Sequence, residues 1–263
     1  MIVFAYKFHR HFPFVIAANR DEFYDRPTEA ASYWHDAPHI LAGRDLKGGG
    51  TWLGLTTDGR IAALTNHRNP SLLKRDAPSR GLLVSEYLRG DSDAKEYLEH
   101  LRLNSGRYNG FNLIAGDLSA LYYYSNISGE LTPIEPGIHA LSNHLLDTPW
   151  PKVARAKEFL AGLLSSMSYP SAESVLEILD DRVHPPDTQL PDTGVGLEWE
   201  RMLSPVFITS PFYGTCSSTA ILIDTMNRTT FVEKVTAAEM KGTIGKFMFD
   251  ISSPRNSEAI SDV

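Results

Sequence analysis

Residues 14–24 read FVIAANRDEFY: five apolar residues are followed directly by four strongly polar ones. The apolar run at 14–18 predicts a buried β-strand, because it is short and contains β-branched and aromatic side chains. Four consecutive polar groups after a buried strand must be solvated, paired with one another, or directed into a cleft. The segment therefore predicts a core strand followed by a candidate polar site, with an Arg–carboxylate cluster that stabilises a turn as the alternative.

Strand and helix signals occur in blocks along the rest of the chain. Antiparallel hairpins are predicted at residues 2–8 with 13–19, at 52–57 with 60–66 around Asp58-Gly59, and at 111–115 with 121–124. Helices are predicted at 82–89, at 93–103, from Pro151 onward and at 171–179, and closing strands at 206–209, 219–224 and 230–235. Hairpins followed by helix pairs indicate an α+β fold with antiparallel sheets and segregated helices. We predict one domain over residues 1–250, an ordered loop at 184–196 and a polar tail at 251–263.

The composition is that of an ordinary globular protein with an acidic balance. The chain has 263 residues, 42% hydrophobic content and a formal net charge of -7. This charge disfavours nucleic acid and anionic membranes, which select basic patches, and favours a small-molecule ligand. A single cysteine, Cys216, excludes an intramolecular disulfide and predicts a reducing compartment. No apolar run approaches the ~18 residues of a membrane helix and no signal-peptide pattern opens the chain, so we predict a cytoplasmic protein without an integral membrane segment.

A second polar cluster lies in the glycine-rich segment 43–52. Its glycines allow backbone N–H groups to approach a ligand, but the segment matches neither nucleotide-binding fingerprint, and a flexible turn is the alternative. If the hairpins stack, the arginines at positions 20, 44, 68 and 80 would converge and bind a carboxylate or other anion; scattered surface arginines are the alternative. The candidate ligand-binding residues are Asn19, Arg20, Asp21, Glu22, Arg44, Thr51, Trp52, Asn66, Arg68, Asn112 and Asn143.

Other reactive side chains give weaker signals. Cys216 lies between a turn and an apolar strand, where a small buried hydrophobic residue is expected and a nucleophile is the alternative. The nine histidines show no spacing typical of metal ligands. The sequence therefore predicts no metal site and no required cofactor.

Several segments, taken together, resemble the NRDE (transport and Golgi organisation protein 2) family. They are residues 17–24 with Arg26-Pro27, 49–54, 62–66, 108–113, 141–143 with 148–150, 189–192 and 213–215, in order along nearly the whole chain. The resemblance implies the N-terminal-nucleophile (Ntn) hydrolase fold, a four-layer αββα sandwich with antiparallel sheets between helix layers. The hairpins and helix pairs predicted above are compatible with that architecture.

The resemblance also implies roles for individual residues. In Ntn hydrolases, loss of Met1 exposes a Cys, Ser or Thr nucleophile at position 2, whose α-amine acts as the base. Here Ile2 stands where the family has Cys, and Cys216 stands where it has Arg. By resemblance, Arg20 and Asp21 are catalytic candidates that line the nucleophile pocket. Asn143 is a candidate oxyanion donor, because a side-chain amide can stabilise a negative oxygen.

Three functions follow from these residues and the resemblance. The leading hypothesis is binding or transfer of an amphipathic anionic small molecule such as haem, which the family's association with haem handling implies. The first alternative is a hydrolase of amide C–N bonds whose Cys start is missing from this chain, so enzymatic activity is left open. The second is a non-catalytic interaction protein. Haem is thus a candidate ligand rather than a required cofactor, and the oligomeric state stays open.

Overall fold

Two antiparallel β-sheets form the centre of the molecule in the computed structural model, which describes residues 1–236 and 242–252. The six-stranded sheet has the spatial order β10 (Gly137–Leu141), β1 (Ile2–Tyr6), β2 (Phe14–Phe23), β11 (Tyr213–Ile223), β12 (Arg228–Val235) and β13 (Ile244–Asp250). The seven-stranded sheet has the order β3 (Thr28–Trp34), β4 (Ala37–Asp45), β5 (Leu53–Thr56), β6 (Ile61–Asn66), β7 (Phe111–Gly116), β8 (Leu121–Ser125) and β9 (Leu131–Pro133).

Helices cover the outer face of each sheet. α1 (Gly81–Arg89) and α2 (Ala94–Asn104) pack on the seven-stranded sheet, while α3 (Pro151–Ser166) and α4 (Ala172–Glu177) pack on the six-stranded sheet. A short helix, α5 (Leu197–Met202), lies in the segment between α4 and β11. A third hydrophobic core fills the space between the two sheets. The expected α+β fold, a four-layer αββα sandwich, is therefore confirmed.

Local sequence signals account for the helix starts. Asp93 caps α2 by accepting from the backbone N–H groups of Lys95 and Glu96. Ser171 forms a reciprocal capping box with Ser174 at the start of α4, and Pro151 occupies the first turn of α3. These residues satisfy or remove the N–H groups that a helix leaves without partners at its N-terminus. The predicted starts of these helices are correct to within a residue.

Some predicted boundaries are wrong. β2 does not end at residue 19 but continues through the polar residues to Phe23, because β11 pairs with it along that length. Residues 206–209 do not form a strand: they contribute a single bridge between Thr209 and Gly214, and their apolar side chains are buried beneath other elements. β3, β4, β9, β10, β13 and α5 were not predicted. Of the predicted polar tail, residues 253–263 lie outside the described residues.

The strands of the two sheets come from different parts of the sequence. The seven-stranded sheet is built from one continuous segment, residues 28–133, whereas the six-stranded sheet combines strands from both sides of that segment. β2 and β11 are adjacent in space although about 200 residues separate paired positions such as Asn19 and Ser218. The seven-stranded sheet is thus nested within the sequence of the six-stranded one.

Gly162 offers a simple test of the helical layer. It lies on the exposed side of α3, and a Cβ built on it would meet nothing within 4 Å. We expect Gly162→Ala to raise the free energy of unfolding by about 0.5–1 kcal/mol, because alanine loses less backbone entropy in a helix. Urea unfolding monitored by circular dichroism measures this, and an unchanged or lower midpoint would contradict the assignment of Gly162 to the helix interior.

Candidate functional site

A cavity of about 560 Å³ opens between the two sheets at the end of β2. This volume is in the range of small-molecule sites. β2 supplies its polar wall from one side, the segment from Asp45 to Leu53 supplies the other, and the segment before α1 covers it. We call this space the first cavity.

Asn19 anchors β2 to the helical side of the six-stranded sheet. Its amide nitrogen donates to the backbone carbonyls of Leu179 and Val206 at 3.1 and 3.0 Å, and Ser218 Oγ donates to its Oδ1 at 2.6 Å. Asn19 is buried, so these bonds replace the water that the amide loses. The side chain of Asn19 therefore fixes the wall of the first cavity.

Arg20 is the most unusual residue of the wall. Its side chain is 9% exposed and its guanidinium carbon lies 4.5 Å from the centroid of the Trp52 ring. Trp52 in turn packs tightly on Gly43, where a Cβ would lie 2.5 Å from Trp52 Cη2. Within residues 1–236 and 242–252, the Arg20 guanidinium has neither an ion pair nor a hydrogen bond. A buried cation without an anionic partner is costly, so this arrangement favours an anionic ligand.

Asp21 lies beside the first residue of the chain. Asp21 Oδ1 accepts from Thr215 Oγ1 at 2.7 Å, and Oδ2 lies 3.7 Å from the α-amine of Met1, which also donates to Asn19 O at 3.0 Å. Burial lowers the pKa of this amine, and the charge of Asp21 opposes the effect. Asp21 and the Met1 amine thus form a buried polar pair at the base of the first cavity.

An ion-pair network joins the cavity wall to the glycine-rich segment. Arg26 donates to Asp45 Oδ2 from Nε and Nη2 at 3.0 and 2.7 Å, and its Nε lies 3.6 Å from Glu22 Oε2. Burial disfavours ionised Asp45, but the bonds from Arg26 and from the N–H groups of Lys47 and Gly48 hold its pKa below the usual value. The glycine-rich segment is therefore an ordered wall rather than a flexible turn.

Positive charge exceeds negative charge around the first cavity. Arg20, Arg26, Lys47, Arg75 and Arg80 line it, together with the carboxylates of Asp21, Glu22 and Asp45. Burial lowers the pKa of Arg80, whose Nη1 donates to Gly110 O at 2.9 Å. In an acidic protein this local excess of cations indicates a site for an anion.

The structure brings most of the predicted site residues together. Asn19, Arg20, Asp21, Glu22, Thr51, Trp52, Asn66 and Asn143 all line the first cavity. The Asn143 amide nitrogen donates to Asn66 O at 3.0 Å, so in this structure that donor is already engaged. These residues therefore line one cavity, and their role in ligand binding stays a prediction.

Arg44, Arg68 and Asn112 are not part of the cavity lining. Arg44 forms two hydrogen bonds with Asp36, at 2.7 and 3.0 Å, and its guanidinium lies 4.6 Å from the Trp34 ring. Asn112 is buried and donates to Thr65 Oγ1 and His144 O while accepting from Tyr123. The expected convergence of four arginines therefore holds for Arg20 and Arg80 and not for Arg44 and Arg68.

Arg68 belongs to a buried charge network behind the cavity wall. Its Nη2 lies 3.1 Å from Glu200 Oε2, with side-chain exposures of 10% and 3%, and its guanidinium lies over the Trp150 ring. Lys152 is also buried and donates to Leu203 O at 2.8 Å; burial lowers its pKa to about 8. This network fixes the segment that carries α5.

The lining also contains residues that the sequence did not single out, among them Tyr213, Arg26 and Lys47. Arg26 stands four residues after Glu22 and just outside the polar run, so its spacing was an available signal. Tyr213 donates from its hydroxyl to Asp21 O at 3.1 Å across about 190 residues of sequence, which no local pattern indicates. Burial raises the pKa of Tyr213.

Cys216 is half-buried and lies beside Arg20 rather than in the first cavity. Burial raises the pKa of its thiol, and the charge of Arg20 opposes that effect. Among the residues that the structure describes, no group of three or more His, Cys, Asp or Glu side chains is placed to hold a metal ion. The same part of the chain has no helix long and apolar enough to cross a membrane.

Comparison of the sequence with known proteins gives consistent matches. The family model for Transport and Golgi organisation 2 matches residues 1–238. The chain is 42% identical to the Transport and Golgi organization protein 2 homolog of Homo sapiens over 238 residues, covering 84% of this chain and 85% of that protein. It is 40% identical to the homolog of Bos taurus and 28% identical to the Drosophila melanogaster protein, with the same shares of each chain covered.

Solved structures with a similar fold are conjugated bile acid hydrolases. A cysteine-to-alanine mutant from Clostridium perfringens has a TM-score of 0.50 and 8% identity, covering 97% of this chain and 99% of that one. An arginine-to-leucine variant has a TM-score of 0.50 and 10% identity, covering 98% and 100%. At this identity the likeness shows the fold alone, and it confirms a sandwich of Ntn-hydrolase type.

Proposed function

The chain belongs to the Transport and Golgi organisation 2 family, and from that premise we propose that it binds and transfers an amphipathic anionic small molecule, with haem as the first candidate. The single observation that carries this proposal is Arg20. Its guanidinium is nine-tenths buried and stacks on Trp52, and no carboxylate of the described ranges forms an ion pair with it, although the charge of Arg20 acts on buried Glu233 from a longer distance. A carboxylate at this position would supply the missing charge and hydrogen bonds.

The first cavity fits the chemical character of haem. Haem carries two propionate groups, and the cavity offers Arg20 together with Lys47, Arg75 and Arg80. The Trp52 ring supplies a flat surface next to these cations. Among the described residues no histidine lines this cavity, so the proposed binding rests on the propionates and the ring faces. The protein would then hold haem reversibly, as a carrier requires.

A haem titration followed by absorbance tests this function. We expect saturable one-to-one binding, and Arg20→Met should weaken it by at least about tenfold, since a charge-assisted hydrogen bond contributes about 1.5–3 kcal/mol. Arg44→Met is the matched control, because Arg44 also stacks on a tryptophan but does not line the cavity. Equal weakening by both substitutions, or no saturable binding to the unaltered protein, would refute the proposal.

The alternative activity, amide hydrolysis, is favoured by the position of the first residue. The Met1 side chain packs on the helical side of the six-stranded sheet, and Ile2 packs between the sheets. Because side chains alternate along a strand, a residue placed before Met1 would project its side chain toward the space between the sheets, where the Arg20 side chain lies. Met1 and Ile2 themselves supply no nucleophile.

An extended chain tests that alternative. A cysteine added before Met1 and exposed by removal of the initiating methionine should release amine from N-acyl amides if this site is a hydrolase. The same extension with alanine in place of cysteine, and an Asp21→Asn variant, serve as controls. Absence of amine release across a panel of N-acyl amides would leave binding and transfer as the function.

The open cavity argues against a purely structural role. An interaction protein with a vestigial site would be expected to have a collapsed cleft or arginines that point outward. Arg20 instead lies buried against Trp52 and lines a volume of about 560 Å³. We also propose that the protein is cytoplasmic, because of its composition and its single cysteine.

A further inference from the structure

A second cavity, of about 580 Å³, lies on the other side of Arg20. It is bordered by β11 and β12 of the six-stranded sheet and by the segment from Tyr24 into β3. Arg20 and Arg26 line both cavities, whereas Cys216, Ser217 and Glu233 line only the second. A group bound at the Arg20 guanidinium can therefore extend in either of two directions.

The second cavity contains polar groups without complete hydrogen bonding. Ser217 is 6% exposed; its hydroxyl makes no well-formed hydrogen bond in the described part of the chain, and its interaction with the Glu233 carboxylate opposes the rise that burial causes in the pKa of that group. Glu233 is 3% exposed; its Oε2 accepts from Ala31 N at 2.6 Å, and burial raises its pKa. A buried hydroxyl without a partner is uncommon in folded proteins. Together with Arg20, these groups form a built polar edge that faces the cavity.

The remainder of the lining is more apolar than that of the first cavity. Pro27, Ala30, Leu46 and Val235 contribute aliphatic surface, and Leu46 is half exposed although it is a large apolar side chain. The first cavity, by contrast, is dominated by ionised side chains. Asp25, Glu29 and Glu233 also line the second cavity. The apolar part of an amphipathic anion gains from the aliphatic side of this cavity, because burial there removes it from water.

We propose that the second cavity is the subsite for the apolar body of a carboxylate ligand whose acid group is held at Arg20, with the Ser217 hydroxyl free to bond a polar atom of that body. This proposal rests on the proposed function and adds to it the orientation and chemical class of the ligand. The ligand is then a carboxylate with an extended apolar body, rather than a small or highly polar anion.

The chain carries its own reporter of this subsite. Cys216 is the single cysteine of the sequence, and its half-buried thiol lines the second cavity and not the first. It sits where the pairing of β2 with β11 shifts register between Thr215 and Ser217. Covering of the thiol by a ligand body should therefore slow its alkylation, with no other thiol to contribute background.

The experiment combines alkylation with a ligand series on the full chain. Acetate, benzoate and 2-naphthoate share a carboxylate and differ in apolar area, so affinity measured by calorimetry should rise along the series. At saturation, 2-naphthoate should slow maleimide labelling of Cys216 at least about fivefold, whereas acetate should leave the rate nearly unchanged. Arg20→Met should weaken the binding of each of these carboxylates whose affinity for the unaltered protein can be measured.

A substitution that fills the second cavity separates the proposal from the general function. Ala30→Phe should weaken 2-naphthoate at least about tenfold, while Ser32→Phe, on the same strand but lining neither cavity, should not. Binding that depends on Arg20 but neither protects Cys216 nor responds to Ala30→Phe would overturn this orientation and leave the proposed function intact. Failure of 2-naphthoate to bind would also overturn it. Failure of haem and of all three carboxylates to bind would refute both proposals.

Discussion

Replacing Glu200 with leucine should lower the free energy of unfolding by about 3–5 kcal/mol, the usual range when one partner of a buried ion pair is removed. Glu200 is 3% exposed and is the carboxylate 3.1 Å from Arg68. Without it, the Arg68 guanidinium would stay buried with no counter-ion, and its Nε and Nη1 already have no hydrogen-bond partner among the described residues. Glu200 Oε1 also accepts from Thr193 N and Oγ1, and these bonds would be lost as well.

Two further variants make the measurement of Glu200→Leu decisive. Arg201→Met removes an ion pair from the next position of α5, but Arg201 and Asp187 are both about half exposed, so chemical unfolding should show no change beyond error. Combining Arg68→Met with Glu200→Leu should recover part of the loss, because an apolar pair leaves no charge buried. If Glu200→Leu alone is as stable as the unaltered protein, water must reach the Arg68 guanidinium.

Gly50→Ala should destabilise the protein by about 2–3 kcal/mol, as forced overpacking does. A Cβ at Gly50 would lie 2.2 Å from the carbonyl carbon of Gly81 and 2.6 Å from Leu82 N, and backbone atoms cannot move aside as a flexible side chain can. Gly50 and Gly81 hold the glycine-rich segment against the start of α1, so the substitution should also displace Thr51 and Trp52. We therefore expect weaker ligand binding together with lower stability.

Gly106→Ala is the matched control for Gly50. A Cβ at Gly106 meets nothing within 4 Å, and its φ is not positive, so stability should change by no more than about 0.5 kcal/mol. Thermal unfolding and carboxylate affinity should be measured on both variants. If Gly50→Ala keeps the stability and the carboxylate affinity of the unaltered protein, the close approach of the two backbone segments is not required for the site.

The end of β2 illustrates why local sequence placed the site but misjudged the strand. The polar run after Ala18 was interpreted as leaving the sheet, since four adjacent polar groups rarely fit a buried strand. The strand continues because its polar side chains have partners on both faces. Asn19 and Asp21 bond on one face, to Leu179 O and Thr215 Oγ1, and Arg20 lies against Trp52 on the other. The partners of Asn19 and Asp21 lie about 160–200 residues away in sequence, so no local pattern reveals them.

The candidate arginines show that local sequence is also insufficient to identify the residues of the site. Arg20 and Arg44 each stand one residue beyond a short apolar run and directly before an aspartate, so their local sequences do not separate a ligand-binding role from a structural one. The difference arises from the β3–β4 hairpin, which was not predicted and which places Asp36 within 2.7 Å of Arg44. Helix starts were predictable because capping depends on residues that are close in sequence. Pairing between distant strands depends on residues that are far apart in sequence, so it was not predictable from local patterns.

The nesting of one sheet within the sequence of the other has a consequence for biogenesis. All strands of the seven-stranded sheet, with α1 and α2, are synthesised before β10, so this half can acquire its local contacts before the six-stranded sheet is complete. The six-stranded sheet cannot close until β11 is synthesised and finds β2, a pairing of high loop-closure entropy. Because both cavities lie between these halves, a nascent or truncated chain would hold no ligand. If the proposed ligand binds, it can therefore stabilise only a chain that has been synthesised beyond β11.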